Sequence, residues 1–200
     1  MAYDYHIILG AIAALLGLLG YGLYFRSIFR GETRPHLFTW LIYFLIDIIV
    51  FAAQIMKGAG PGAWTTLTGV IGSLCVSFIA LRLGEKHITK TDWISFIAAL
   101  CAIVLWQTTN NPLIAIVIAA TINFLAIFPT LRKSYSNPYQ ESISIWVVDI
   151  MRFGLGITAL VSLNWTTALF PSAVITANVL LVGMILIRRH ILTRDKAFQG

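Results

Sequence analysis

The chain has 200 residues, of which 58% are hydrophobic and only 11% charged, with a mean hydropathy of +0.85. A soluble domain carries roughly 25% charged residues, so most of this surface is not built to face water. Fourteen Lys and Arg against eight Asp and Glu give a net charge of +6, but the basic residues sit in short loops between apolar runs, which fits a membrane topology better than a nucleic-acid surface.

A helix needs about 20 apolar residues to cross the hydrocarbon core. Seven stretches qualify: 7–25, 37–56, 62–82, 92–109, 112–131, 143–163 and 168–187. The N-terminal segment Met1-Ala-Tyr-Asp-Tyr-His6 lacks a positive region and no small-residue cleavage site follows, so the first run is expected to be a retained helix. The fourth run opens at Asp92-Trp93, and Asn110-Asn111-Pro112 makes the tight turn into the fifth. Cys75 and Cys101 fall inside apolar runs and are expected to be buried free thiols.

The loops give the spans a direction. The N-terminus and the loops after runs two, four and six hold one basic residue, Lys57. The opposite side holds twelve: Arg26, Arg30, Arg34, Arg82, Lys86, Lys90, Arg132, Lys133, Arg188, Arg189, Arg194 and Lys196. Positive loops stay cytoplasmic. The expectation is a multi-pass inner-membrane protein with its N-terminus outside and its C-terminus in the cytoplasm.

Shifting the chain by 103 residues lays Phe25 on Phe128, Arg30 on Lys133, Pro35 on Pro138, Thr39 on Ser142 and Tyr43 on Trp146. The match is one of pattern: a basic turn, a Pro, a Thr or Ser helix start, then an aromatic. Any two hairpins with short basic loops share some of this pattern. Read as a duplication, it predicts an all-α integral membrane fold in which two parallel three-helix bundles flank a linker helix, a 3+1+3 arrangement. The first repeat would cover 1–85, the linker helix 86–110, and the second repeat with a short tail 111–200.

Three ionisable residues lie at membrane depth: Asp47, Asp149 and Arg152. Each costs about 2.5–3.5 kcal/mol to insert, which makes such residues functional candidates. Asp149 and Arg152 are three apart on one helix face, so they either neutralise each other or form part of a site. Asp47 has no basic neighbour on its own helix and could reach Arg152 across the bundle. Asp47 and Asp149 are the proton-coupling candidates, Asp47 first. Tyr43, Asp47 and Gln54 form one stripe, and Trp146, Asp149 and Arg152 another. With Asn123 and Asn178 near mid-span, these eight residues are the candidate binding set for a small polar solute, aromatic faces stacking and amides reading polar edges. A lone Asn in a span also serves as helix–helix glue. Trp40, Trp64, Trp93, Trp106 and Trp165 are read as an interfacial belt. Pro129 and Pro171 are hinge candidates.

The run Phe128-Pro129-Thr130-Leu131-Arg132-Lys133 followed by Asn137-Pro138-Tyr139-Gln140-Glu141-Ser142 resembles the motif of the SWEET and PQ-loop transporter superfamily. In the first half Arg34-Pro35-His36 and Thr39-Trp40 fit, whereas Arg26 stands where the motif has Pro, and Thr130 replaces its Gln. The chain looks most like bacterial seven-helix members with this layout. The resemblance implies a transporter moving a small polar solute (a sugar, amino acid or vitamin) by alternating access, with or without proton coupling. The alternative is a ligand or cargo receptor of the same fold that does not transport. A retinal protein would need a Lys in the seventh span, and there is none. No metal-ligand spacing, nucleophile elbow or phosphate loop appears, so neither an enzyme nor a cofactor is expected. Partners would be the solute and the lipid bilayer. A homo-oligomer is compatible with the sequence, although a chain holding both units suffices as a monomer.

Overall fold

A computed structural model describes residues 2–108 and 112–198. The turn at Asn110-Asn111 and the side chains of Trp106 and Lys196 lie outside what it describes. Among the described residues there are seven α-helices: α1 (Ala2–Phe29), α2 (Leu37–Met56), α3 (Trp64–Leu83), α4 (Lys90–Gln107), α5 (Pro112–Ser136), α6 (Ile143–Thr158) and α7 (Trp165–Phe198). Five of these regions are long and apolar enough to cross a membrane: Tyr5–Phe29, Leu37–Met56, Gly60–Leu83, Ile116–Ser136 and Trp165–Arg194.

Local chemistry sets the ends. After α1, Gly31 at φ 72° lets its own N–H reach the Ile28 carbonyl and that of Glu32 reach Ser27, a Schellman stop that a residue with a Cβ would strain. Thr89 and Asp92 cap α4 reciprocally, the Thr89 N–H donating to Asp92 Oδ2 at 2.8 Å and the Asp92 N–H to Thr89 Oγ1 at 3.3 Å. Asn164 Oδ1 accepts from the N–H groups of Thr166 and Thr167 and starts α7. The sixth helix ends at Thr158, not near 163 as its apolar run suggests. Its last carbonyls bond the Ala159 N–H, and Leu160–Asn164 form the connection to α7. Pro129 and Pro171 lie within continuous helices.

Six helices close into a ring. In spatial order they run α1, α6, α7, α5, α2, α3 and back to α1, so that α3 lies between α1 and α2, and α7 between α5 and α6. The remaining helix, α4, packs outside the ring on α5 and α2. The polarity is inverted relative to a soluble bundle. Leu15, Phe78, Ile94, Val104 and Ile187 are exposed, whereas Asp47, Asn123, Asp149, Arg152 and Asn178 are buried. An apolar exterior over a polar interior belongs in lipid. Cys75 and Cys101, expected inside, are free thiols on this exterior.

Glycines set how closely helices approach. A Cβ on Gly72 would lie 2.2 Å from the Tyr21 ring, and one on Gly69 2.7 Å from Asp47 Oδ2. The third helix therefore seats a tyrosine of α1 and a carboxylate of α2 against bare backbone.

Candidate functional site

The ring holds a polar cavity, lined by Tyr21 of α1, Trp40, Tyr43 and Asp47 of α2, Asn123 of α5, Asp149, Arg152 and Phe153 of α6, and Val174 and Asn178 of α7. Asp47 is the eleventh of twenty residues in α2, about 15 Å from either helix end. The cavity measures about 20 Å³ at the centres of water-sized spheres, room for about one water. A larger solute requires the helices to part.

Arg152 is the cation of the site, and it bonds through Nε and Nη1. Its Nε donates to Asp149 Oδ1 at 2.5 Å, and its Nη1 to the Thr65 carbonyl at 2.7 Å and Thr68 Oγ1 at 2.8 Å. Its guanidinium carbon lies 4.5 Å from the Phe153 ring centre and 5.6 Å from that of Tyr21. The three-residue spacing on α6 thus produces a real ion pair. The cross-bundle pair of Asp47 with Arg152 does not form: no hydrogen bond or ion pair within 4 Å reaches Asp47 among the described residues. Arg152 still acts on Asp47 electrostatically, its Nη2 and Asp47 Oδ2 both lying beside Gly69.

Of the donors on the lining residues, Asn123 Nδ2 has no partner within hydrogen-bond reach among the described residues, while the Trp40 indole stands beside Tyr24 and the Asn178 side chain beside Asp149. A buried N–H left unpaired costs about 1–3 kcal/mol, which an acceptor or a water beside Asn123 would offset. The aromatic wall has corners. Tyr21 and Trp40 stand 6.0 Å apart at 63°, and Trp40 and Tyr43 5.9 Å apart at 85°.

Six of the eight residues singled out from sequence meet here: Tyr43, Asp47, Asn123, Asp149, Arg152 and Asn178. Gln54 does not. It lies two turns farther along α2, buried at the helix end, where its carbonyl accepts from the N–H groups of Lys57 and Ala59. Trp146 also stands outside the lining. Its Nε1 donates to Glu141 Oε1 at 3.2 Å and its ring faces Trp40 at 5.6 Å. Trp40, assigned to the interfacial belt, is 2% exposed and forms the cavity wall. It precedes Tyr43 and Asp47 by three and seven residues, one helical stripe that its place near a span end conceals. Trp64, Trp93 and Trp165 do point outward.

A second charged cluster closes the arginine-rich end. Glu141 and Lys133 form a buried ion pair. Glu141 Oε1 also accepts from Tyr24 Oη at 3.0 Å and from Trp146, while Lys133 Nζ donates to the Arg34 carbonyl at 2.7 Å. Beside it, Asp92 takes a two-pronged bond from Arg132 at 2.9 and 2.7 Å, and His36 Nε2 lies 3.4 Å from Asp92 Oδ2. Burial holds the His36 imidazole below its ordinary value of 6.5, more than the Asp92 carboxylate raises it. Thr39 and Thr130 hydroxyls pair at 3.0 Å across α2 and α5. The opposite end closes by tight packing: a Cβ on Gly10 would lie 2.6 Å from Pro61, and His6 Nδ1 sits 3.2 Å from the Ala159 carbonyl. Sequence reasoning passed over Glu141 and Asp92 because they lie at predicted span ends. An acidic residue amid the most basic loops was the available signal.

No family model matches this chain, and no curated protein and no solved structure matches it.

Proposed function

We propose that this protein is a membrane transporter that moves a small polar solute by alternating access through the central cavity. The observation that carries this reading is a buried polar cavity lined by two carboxylates, a guanidinium and two amides, at mid-depth in a ring of helices and shut at both ends by different means. A bundle held by apolar packing alone has no need of ionisable groups at this depth, each of which costs about 2.5–3.5 kcal/mol to insert.

The same reading makes the fold a 3+1+3 duplication. Exchanging α1 with α5, α2 with α6 and α3 with α7 maps the ring onto itself: the α1–α6 contact becomes α5–α2, and each middle helix keeps its flanks. The α4 helix, outside the ring, is then the linker. This neighbour pattern supports the resemblance to SWEET and PQ-loop transporters. In the proposed cycle the polar network at the arginine-rich end and the glycine-packed end yield alternately, with Pro129 and Pro171 as bending points and Asp47 or Asp149 as the proton carrier where coupling occurs. The charge bias of the loops puts the arginine-rich end in the cytoplasm. Single cysteines at Glu85 and Ser162, in a variant with Cys75 and Cys101 replaced by Ser, should label from opposite sides. Labelling of Glu85→Cys from outside intact cells would reverse the orientation.

The transport reading is tested in proteoliposomes. Uptake of labelled sugars, amino acids and small amines is expected for at least one class, and Asn178→Ala should reduce it. Ligand binding in purified protein without any uptake would instead favour a receptor.

A further inference from the structure

Charge in the cavity does not balance. Two carboxylates, Asp47 and Asp149, face one guanidinium, Arg152. Arg152 is committed to Asp149 and to Thr65 and Thr68, so the residual negative charge rests on Asp47. Asp47 has the Gly69 backbone on one side and the cavity on the other. A buried carboxylate without a partner is unfavourable unless a positive charge joins it. Beside it stand Trp40 and Tyr43, whose rings meet nearly at right angles and hold no cation, unlike Tyr21 and Phe153, which face Arg152. Perpendicular aromatic faces next to a carboxylate form the environment that binds organic ammonium ions. A hard inorganic cation would want a shell of oxygen ligands, which an aromatic wall does not supply.

We propose that the solute is a small organic monocation: its ammonium group is received by Asp47 between Trp40 and Tyr43, and its acceptor groups by the amides of Asn123 and Asn178. This rests on the transporter reading and narrows its substrate class. An anionic solute is disfavoured, since two carboxylates line the cavity against one guanidinium. The titratable and charged groups facing Asp47 are Asp149, Arg152, Tyr21 and Tyr43. A proton on Asp47 would supply the same charge, so proton and solute compete for one carboxylate.

The test uses the purified full chain in detergent, with thermal unfolding followed by tryptophan fluorescence. The probes are charged and neutral pairs of like shape: choline against dimethylbutanol, and ethanolamine against ethylene glycol, with glucose and sodium chloride alongside. A saturable rise in midpoint is expected with at least one ammonium probe and not with its neutral mate, with apparent affinity at least tenfold weaker in Asp47→Asn. Tyr43→Leu, which leaves the charge in place, should weaken the ammonium probes and serves if Asp47→Asn fails to fold. Equal shifts from neutral mates, a shift from sodium of the same size, or no shift from any ammonium probe would each overturn the inference. Proteoliposome uptake separates the two proposals. An ammonium probe that binds but does not cross leaves this inference standing and removes transport. Uptake of glucose that survives Asp47→Asn keeps transport and removes the inference.

Discussion

Replacing Glu141 by Gln tests whether the buried network at the arginine-rich end holds the ring shut. Glu141 has no exposed side-chain surface and Lys133 has 2%. Removing one partner of a buried ion pair costs about 3–5 kcal/mol, because the other charge is stranded. Gln keeps the shape and can still accept from Tyr24 and Trp146, and Lys133 retains the Arg34 carbonyl, so the lower end, about 3 kcal/mol, applies. At about 2–4 °C per kcal/mol for a chain of this size, the unfolding midpoint should fall by about 6–12 °C. The assay is fluorescence-detected melting at fixed detergent concentration, with Lys133→Met and the double variant completing a cycle. The double variant should lose less than the sum of the single losses, since no charge is left stranded. A midpoint for Glu141→Gln within about 2 °C of the parent, or strictly additive losses, would refute the assignment of a mutually dependent pair.

Arg152→Met should destabilise by about 3–5 kcal/mol by leaving Asp149 unpaired, and adding Asp149→Asn should recover part of that loss in the same melting assay. Gly72→Ala forces a Cβ to 2.2 Å from the Tyr21 ring, and overpacking of this kind costs about 1–3 kcal/mol; a midpoint unchanged by the added methyl would contradict the close α1–α3 approach. His36 is buried and stays neutral to a lower pH than free histidine. The unfolded chain therefore binds more protons as pH falls through about 6.5, and stability should decline from there down to the folded value, with a slope of at most about 1.4 kcal/mol per pH unit. His36→Gln should flatten that decline, and an equally steep profile in the variant would assign it to other groups.

The helix count and five of the seven lower boundaries lie close to what the apolar runs indicate, because in a bilayer the length of an apolar run is itself the physical constraint. The pairing of Asp149 with Arg152 was equally legible, as a three-residue spacing fixes a shared helix face. That Asp47 forms no ion pair with Arg152 was not. Whether a carboxylate on α2 meets a guanidinium on α6 depends on Gly69 of a third helix, and no spacing within one helix reports that. The mistaken place of Trp40 has the same origin. Nearness to a span end suggests the lipid interface, but its helical stripe turns it toward Tyr24, Trp146 and the cavity. The early end of α6 was hidden because Leu160 and Val161 continue the apolar run, although they pack on the glycine-rich turn at Gly60–Ala63 rather than extend the helix.

That short helix makes the barrier unequal on its two sides. With 16 residues, α6 is about 24 Å long, less than the roughly 30 Å of a hydrocarbon core. Arg152 stands six residues from its C-terminal end at Thr158, about 9 Å along the axis. A bilayer meeting a short helix thins, or lets water in, at that helix. Thinning there would leave Arg152 nearer to water on the Thr158 side than on the arginine-rich side. Charge moving between Arg152 and the arginine-rich end would then carry the larger share of any voltage dependence.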